Sequence, residues 1–226
     1  MNLEKYQQYS RIARGLEKAD LVLKDARIVN VFTEEIIRGD IAIQDGIIAG
    51  IGSFHGKEER DLAGRYVCPG FIDSHLHLES TLVTPAELVT AASRHGTTTF
   101  IVDPHESANV SGLAGIDYIL DQTEDVKANV YVMMPSCVPA TAIDDNGCTL
   151  TAEDMAPYLH NSRILGLGEV MDSISVVQGE KSMHDKLELF EGRIRDGHAP
   201  FLEEGDLQAY AMAGIATDHE CSFFDY

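Results

Sequence analysis

The chain has 226 residues and a formal net charge of −20, with 37 acidic against 17 basic side chains. Hydrophobic residues make up 44% and charged residues 24% of it, a composition typical of a globular protein with a sizeable core. Such a negative charge repels the phosphate backbone of nucleic acids and anionic lipid surfaces. Nucleic acids and membranes are therefore not expected as partners, and a small neutral ligand is favoured.

Two features of the sequence bear on location. No run of about 18 apolar residues is present, and the opening MNLEKYQQYSRIARG is polar and charged, unlike a secretory signal. The four cysteines are widely spaced without a CxxC pair, which indicates reduced thiols rather than a disulfide framework or a zinc ribbon. They are Cys68, Cys137, Cys148 and Cys221. A cytoplasmic location is expected.

The first 69 residues predict a leading helix followed by a small β segment. Residues 1–18 carry apolar side chains at helical spacing, which predicts an amphipathic helix. Residues 19–69 contain short β-branched runs separated by hairpin signals, which predict a small antiparallel sheet or half-sandwich. The signals are Lys24-Asp25, Gly39-Asp40 and, most clearly, Asp45-Gly46.

From residue 70 onward, apolar strands alternate with helical stretches, the rhythm of a β/α fold with a parallel sheet. The predicted strands are 71–75, 98–103, 129–134, 164–169, 194–198 and 214–218, and the predicted helices are 84–95, 109–122, 151–160, 183–191 and 204–213. A closed eight-unit barrel typically needs about 250 residues. The predicted fold class is therefore α/β, an incomplete TIM-type (β/α)8 barrel of about six units over 70–226, preceded by a β-sandwich-like segment.

The first predicted barrel strand ends in two histidines one residue apart, His75 and His77. Alternate residues of a strand point to the same face, so both imidazoles can converge on one metal ion without distortion of the backbone. At the carboxyl end of a barrel strand they would lie at the mouth where active sites are built. The alternative is a pair of polar histidines on a solvated strand face.

Three later strand ends add possible metal donors. Glu169 closes an otherwise apolar strand, and because a carboxylate is rarely buried unpaired, this position favours a cation as partner. A helix cap or a salt bridge is the alternative role. His198 and His219 follow the next two predicted strands. Imidazoles together with a carboxylate suit zinc, iron and manganese.

The second predicted strand ends in Asp103-Pro104-His105-Glu106. A residue before proline avoids the helical region, so the strand should end abruptly and present His105 and Glu106 on the following loop. A carboxylate beside a histidine suits proton transfer, and a loop of solvated polar residues is the alternative. Cys137, in the loop segment PSCVP, is not expected to act as a nucleophile because no basic partner is implied nearby.

Taken together, these segments resemble the bacterial adenine deaminases of the amidohydrolase superfamily. The matching stretches, in family order, are PGFIDSHLHLESTLVTP, HGTTTFIVDPHESANVSGLAGI, NVYVMMPSCVPAT, LTAEDM, ILGLGEVM, DGHAP and AGIATDHEC. They cover most of the chain from Pro69 to Cys221. The DPHE, PSCVP and GEVM segments distinguish this family from dihydroorotases and sugar deacetylases.

The resemblance implies metal-dependent hydrolysis of adenine, a small-molecule purine, to hypoxanthine and ammonia in purine salvage. It implies a binuclear centre of manganese or iron, with zinc as the alternative, in which Glu169 bridges the ions where other superfamily members use a carbamylated lysine. Glu106 is implied as a substrate-site acid or base. His105, beside it, is expected to be a second catalytic residue because a histidine next to a carboxylate suits proton transfer. The implied metal ligands are His75, His77, Glu169, His198 and His219.

The sequence departs from the family pattern at its end. Beyond DHEC the family continues through two more barrel units, including a metal-binding aspartate, whereas this sequence finishes CSFFDY. The chain alone is therefore expected to be inactive, and its unpaired sheet edges favour a homo-oligomer. The alternatives are another amidohydrolase acting on a cyclic amide or amine, and a non-catalytic metal-binding or interaction remnant. The zinc nucleobase deaminases are excluded, because no P-C-x-x-C follows the His77-Leu78-Glu79 segment.

Overall fold

A computed structural model describes residues 1–141 and 143–219, so Cys221 lies outside the described residues. The chain divides into two compact units, Met1–Pro69 and Gly70–Tyr226. Within the described ranges, none of the helices has both the length and the apolarity that a membrane crossing requires.

The first unit contains one helix and a five-stranded sheet. Helix α1 (Leu3–Ala13) begins after Asn2, whose side chain accepts a hydrogen bond from the Lys5 N–H. It is shorter than the predicted 1–18 because Gly15 adopts φ +71, a left-handed conformation that ends a helix. The strands are β1 (Ala19–Asn30), β2 (Glu35–Gln44), β3 (Ile47–Gly52), β4 (Gly56–Asp61) and β5 (Tyr66–Val67).

The sheet of the first unit is mixed. Its order is β3-β2-β1-β4, with β5 also paired to β1. The β1–β2 and β2–β3 pairs are antiparallel, but β4 and β5 run parallel to β1. The predicted antiparallel pairing is therefore confirmed for β1, β2 and β3 but is wrong for β4 and β5.

One of the three predicted hairpin signals forms a turn. Asp45-Gly46 joins β2 to β3 with both residues at positive φ, as the sequence predicts. The other two are wrong, since Lys24-Asp25 lies at an irregularity inside β1 and Gly39-Asp40 lies inside β2. These polar residues meet across the two strands, because Asp40 accepts hydrogen bonds from Lys24 Nζ at 2.5 Å and from the Asp25 N–H at 3.1 Å.

The second unit is built on six parallel strands in the order β6-β7-β8-β9-β10-β11, curled as part of a barrel. Each of the six corresponds to a predicted strand, which confirms the α/β class. Because strands adjacent in sequence are also adjacent in the sheet, all the carboxyl ends lie along one edge. The strands are β6 (Phe71–Leu76), β7 (Thr97–Val102), β8 (Asn129–Pro135), β9 (Ile164–Val170), β10 (Ile194–Gly197) and β11 (Thr217–Asp218).

The helices of the second unit lie between these strands. They are α2 (Pro85–Ser93), α3 (His105–Ser111), α4 (Leu113–Gln122), α5 (Ala152–Met155), α6 (Ser173–Gln178), α7 (Lys181–Leu189) and α8 (Glu204–Met212), with 3-10 turns at Glu79–Thr81 and Ala156–His160. Pro85 at the start of α2 and the capping box of Thr151 with Asp154 begin helices where the sequence indicates them.

The following departures from the predicted elements of the second unit have local causes. The predicted helix 109–122 is two helices, α3 and α4, separated by Gly112 at φ +62. Helix α6 is not predicted from its short β-branched sequence, but Asp172 caps it by accepting the Ser175 N–H. Strand β11 is shorter than 214–218 because Gly214 adopts φ +82 at a turn.

The core of the second unit packs the strands against the surrounding helices. Buried apolar side chains come from β7, β8 and β9 and from helices α4 and α7, and their removal from water is the main favourable contribution to folding. They include Phe100, Val132, Met134, Leu167, Ile116, Ile119 and Leu187. This packing holds the carboxyl ends of the strands in a defined arrangement.

Candidate metal centre

Five side chains from four strand ends converge at the carboxyl edge of the parallel sheet. Glu169 lies at the centre and is only 2% exposed. Its Oε1 atom lies 3.4 Å from His75 Nε2, 3.6 Å from His77 Nε2, 3.6 Å from His198 Nδ1 and 3.0 Å from His219 Nε2. The structure therefore brings together all five residues that the sequence predicts as metal ligands.

The two histidines at the end of β6, His75 within the strand and His77 directly after it, converge as their spacing predicts. His75 Nε2 and His77 Nε2 are 3.0 Å apart. The other ring nitrogen of His77, Nδ1, lies 2.8 Å from the main-chain oxygen of Asp103, so an N–H at Nδ1 would leave Nε2 free as a lone-pair donor. The contact between Nδ1 and the Asp103 carbonyl therefore holds the His77 ring with its Nε2 atom facing Glu169.

The backbone at Glu169 is held in an uncommon conformation. Its φ is +31, a value that non-glycine residues rarely adopt. The Ser136 Oγ donates to the Glu169 carbonyl at 2.7 Å, and the Ser136 N–H donates to the Gly168 carbonyl at 3.1 Å. Such strain persists where the surroundings over-determine the conformation, often at functional sites.

The second carboxylate oxygen of Glu169, Oε2, faces His105. His105 Nε2 forms an ion pair with Oε2 at 2.8 Å, although Oε2 has no hydrogen-bond partner of good geometry among the described residues. His105 opens helix α3 rather than lying on the predicted loop. The helix begins here because Glu79 Oε1 accepts the N–H groups of Glu106 and Ser107, both at 3.1 Å.

Glu106, the other residue predicted to be catalytic, lies apart from this cluster. Its side chain is exposed and accepts a hydrogen bond from Ser80 Oγ at 2.6 Å. Within the described part of the chain, no hydrogen bond or ion pair joins it to Glu169 or to the four histidines around Oε1. Its role as an acid or base stays a prediction.

Asp196 belongs to the cluster but is given no role by the sequence reasoning. Its Oδ2 lies 3.6 Å from His75 Nδ1 and 3.4 Å from His219 Nδ1, and the ring of His75 stacks on that of His219 at 3.7 Å between centroids. The sequence does contain a pattern that predicts this position: Asp196 precedes His198 by two residues, and alternate residues of a strand share a face. The same spacing identifies His75 and His77.

Asp103 is a second residue that sequence reasoning did not assign to the site. It is 1% exposed, and neither of its carboxylate oxygens has a hydrogen-bond partner among the described residues. Burial, with the nearby negative charge of Glu169, raises the pKa of Asp103 well above its usual range. The sequence indicated only that the strand would end there.

The charges of the cluster are interdependent. Contacts with Asp196 and Glu169 raise the pKa of His75 to about 10. Burial by itself would raise the pKa of Glu169, but the adjoining imidazoles of His105 and His75 outweigh burial and hold the pKa below its usual range. Protonated imidazoles thus balance the buried carboxylate here, a role that a divalent cation can take over with release of the protons.

The donor set fits a divalent cation on chemical grounds. It consists of imidazole nitrogens and carboxylate oxygens, which suit zinc, iron and manganese. Both carboxylate oxygens of Asp103 and Oε2 of Glu169 are buried without a hydrogen-bond partner among the described residues. In the same part of the chain no lysine or arginine forms an ion pair with Glu169. A divalent cation among these groups could take the place of the protons that now balance the buried carboxylates.

Comparison with known proteins identifies the family. Residues 66–226 match the sequence model of the Amidohydrolase family. This chain is a member of the amidohydrolase family. The match spans the whole parallel sheet and every residue of the cluster around Glu169. All the candidate metal donors therefore lie within the residues that the family model matches.

Curated relatives of this amidohydrolase include two bacterial adenine deaminases. The enzyme of Desulfitobacterium hafniense is 57% identical over 226 residues, covering 100% of this chain and 40% of the relative. The enzyme of Clostridium acetobutylicum is 50% identical over 212 residues, covering 93% of this chain and 37% of the relative. The chain thus spans about 40% of the length of the curated relatives it matches.

Solved structures share the fold of this amidohydrolase at low sequence identity. N-acyl-D-glutamate deacylase from Bordetella bronchiseptica, in complex with zinc and a phosphonate inhibitor, matches with a TM-score of 0.60 and 17% identity, covering 89% of this chain and 51% of that one. 5-Methylcytosine deaminase from Klebsiella pneumoniae matches with a TM-score of 0.56 and 15% identity, covering 89% and 59%.

Proposed function

We propose that this amidohydrolase is an adenine deaminase, which hydrolyses adenine to hypoxanthine and ammonia in purine salvage. The observation that carries the proposal is the convergence of four imidazoles on the buried carboxylate of Glu169, in a chain 57% identical to an adenine deaminase over its full length. Because the chain spans 40% of that relative, the activity is proposed for a polypeptide of the relatives' length.

The proposed cofactor is a pair of divalent cations, manganese or iron, with zinc as the alternative. A bound divalent cation supplies water that is activated for attack at neutral pH. Glu169 is the proposed bridging ligand, supported by its central position among the imidazoles and by the absence of a lysine or arginine ion pair to either of its oxygens among the described residues. The proposed ligands are His75, His77, Glu169, His198 and His219.

Two residues of helix α3 are the proposed acid–base groups. His105 adjoins Glu169 at 2.8 Å; burial would lower its pKa, but the charges of Glu169 and Asp103 outweigh burial and raise it. Nε2 of His105 can therefore carry a proton to the departing amine. Glu106, on the same helical turn and exposed, is proposed to exchange a proton with the bound purine.

The test uses a purified polypeptide of the relatives' length, loaded with manganese or iron and offered adenine and, separately, a panel of cyclic amides and other amines. We expect metal-dependent ammonia release from adenine. Glu169→Gln is expected to reduce the rate by more than about 100-fold, because the neutral amide lacks the charge that holds cations. Glu191→Gln, an exposed glutamate remote from the site, is the matched control.

Two outcomes would contradict the proposal. A near wild-type rate in Glu169→Gln would show that the reaction does not need the proposed metal centre. Hydrolysis of a cyclic amide in preference to adenine would assign the chain to another activity within the amidohydrolase family.

We also propose a cytoplasmic, homo-oligomeric enzyme. Cys68, Cys137 and Cys148 are free thiols, which is in keeping with a reducing compartment. Sedimentation analysis of the purified polypeptide at several concentrations tests the assembly, and a monomer at all of them would contradict it.

A further inference from the structure

A cavity lies between the segment that follows strand β8 and helices α6 and α7. Its volume is about 850 Å³, within the range of about 300–1,000 Å³ that is usual for small-molecule sites. Leu150, Thr151, Ser175 and Lys186 are among the residues that line it. Among the described residues, none of those proposed above as metal ligands or acid–base groups contributes to this lining.

The base of the cavity is formed by a buried lysine, Lys186. Its side chain is 7% exposed, and lysine is almost never so buried unless it is paired. Nζ donates one hydrogen bond, to the Ser136 carbonyl at 2.7 Å, but within the described ranges no carboxylate forms an ion pair with it, whereas Lys24 and Lys181 pair with aspartates. An ammonium group has three N–H donors, so Lys186 retains donors for a further acceptor.

The opening of the cavity carries the opposite charge. Glu153 and Glu180 line the cavity and are exposed, and in the part of the chain that the structure describes neither forms an ion pair. The aspartates of the lining are already engaged, because Asp172 caps helix α6 and Asp185 pairs with Lys181 at 2.6 Å. The cavity therefore has an unpaired cation at its base and two unpaired carboxylates at its opening.

We propose that this cavity binds a small zwitterion of the amino-acid class, with its carboxylate at Lys186 and its ammonium group near Glu153 and Glu180. A simple anion would be repelled by the acidic opening, and a simple cation would leave the buried ammonium of Lys186 unpaired. A zwitterion complements both ends. Polar side chains of the lining, such as Gln178 and Ser182, add hydrogen-bonding groups that can orient it.

The test is calorimetric titration of the 226-residue chain with L-alanine, L-glutamine and γ-aminobutyrate, which differ in size and in the separation of the two charges. Acetate and ethylamine, each with one of the charges, are titrated in parallel. We expect at least one zwitterion to bind with one molecule per chain, at least about tenfold more tightly than acetate or ethylamine. No saturable binding of any zwitterion, or an equal affinity for acetate, would overturn the proposal.

Substitutions at both ends of the cavity locate the bound zwitterion. Lys186→Met, which replaces the buried charge by an apolar side chain of similar length, is expected to lower the affinity at least about tenfold. Glu153→Gln and Glu180→Gln are expected to lower it severalfold and, at exposed positions, to leave the fold intact. Glu188→Gln, an exposed glutamate of helix α7 that does not line the cavity, is the matched control.

An unchanged affinity in Lys186→Met, or in both glutamate variants of the opening, would show that the zwitterion binds elsewhere and would overturn the site. If Lys186→Met does not fold, the two glutamate variants decide the question by themselves.

The inference goes beyond the proposed function and does not depend on it. If a zwitterion binds as described but the polypeptide of the relatives' length releases no ammonia from adenine, the cavity site stands and adenine deamination fails. If ammonia is released but no zwitterion binds, adenine deamination stands and the cavity site fails.

Discussion

At the scale of single residues, the packing around Glu169 leaves no space for a side chain at the preceding position, Gly168. A Cβ atom at Gly168 would lie 2.0 Å from Asp103 Oδ2 and 2.8 Å from Met133 Cβ. The Asp103 carboxylate therefore occupies the space that any other residue at 168 would need. Glycine at this position allows the buried carboxylates at the ends of β7 and β9 to approach each other across β8.

We predict that Gly168→Ala destabilises the protein by about 1–3 kcal/mol, the usual cost of an added methyl group in a packed interior, and lowers its metal content. Chemical denaturation and elemental analysis measure the two effects. Gly205→Ala in helix α8 is the control, because nothing lies within 4 Å of its Cβ position; it should be neutral or stabilising by up to about 1 kcal/mol. Equal effects of the two substitutions would contradict the packing argument.

Tyr210 is a buried positioning residue between α8 and the strand ends. Its hydroxyl donates to the Val170 carbonyl at 2.5 Å and accepts the His198 N–H at 3.1 Å.

We predict that Tyr210→Phe destabilises the protein by about 1–3 kcal/mol and weakens metal binding about tenfold, because both partners lose a buried hydrogen bond. Metal titration and denaturation measure this, with exposed Tyr118→Phe as control. An unchanged metal affinity would show that the hydrogen bond from Tyr210 does not position His198 for metal binding.

At the scale of elements, a charged pair joins the first two strands of the first unit. Asp40 is 8% exposed and accepts hydrogen bonds from Lys24 Nζ and from the N–H groups of Asp25 and Phe54. Burial by itself would raise the pKa of Asp40, but these donors outweigh burial and lower it. Contact with Asp40 raises the pKa of Lys24.

The pair should stabilise the fold in a defined pH range. A lowered folded pKa means that Asp40 contributes stability above its unfolded pKa, about 3.9, and loses that contribution as the pH falls through the folded value. The raised pKa of Lys24 means that its contribution is present below about 10.4 and is lost as the pH rises further.

We therefore predict that Asp40→Asn costs about 1–3 kcal/mol at pH 7 and less at pH 3, because below the unfolded pKa of about 3.9 the stability that comes from the lowered pKa of Asp40 is progressively lost. Urea denaturation at both pH values measures the difference. Glu17→Gln, an exposed acid of the same unit, is the control. A cost that is equal at pH 7 and pH 3 would contradict the electrostatic explanation.

At the scale of the whole molecule, the described parallel sheet has six strands, and β6 and β11 each pair with one neighbour. A closed barrel of this type has eight strands, and in it no strand edge is unpaired. The cluster around Glu169 draws on four of the six strand ends. The arrangement of those ends depends on how the sheet closes.

We predict that the 226-residue polypeptide expressed by itself shows no adenine deamination above background, even with added manganese or iron. The reason is that open edges allow the strand ends to shift or to pair with other chains. A polypeptide extended to the length of the relatives is the control and should release ammonia. Robust metal-dependent turnover by the isolated, monomeric 226-residue protein would contradict this reasoning.

The sequence by itself determined the fold class and the residues around Oε1 of Glu169. The period of two along a strand assigns His75 and His77 to one face. Parallel strands place their carboxyl ends at one edge, so polar residues that end apolar strands meet there. Each rule needs only the local pattern of a strand and the residue that ends it. Glu169, His198 and His219 could therefore also be predicted without coordinates.

Only the tertiary structure decided which distant segments meet. That His105 opens a helix depends on Glu79, more than 20 residues earlier, accepting its first N–H groups. That Asp196 of β10 meets His75 of β6, and that Cys137 lies near the Glu169 carboxylate, depends on how the sheet curls and brings its strand ends together. The parallel pairing of β4 and β5 with β1 likewise joins segments that no local pattern relates. These contacts arise from the burial of side chains far apart in the sequence, and local propensity carries no information about them.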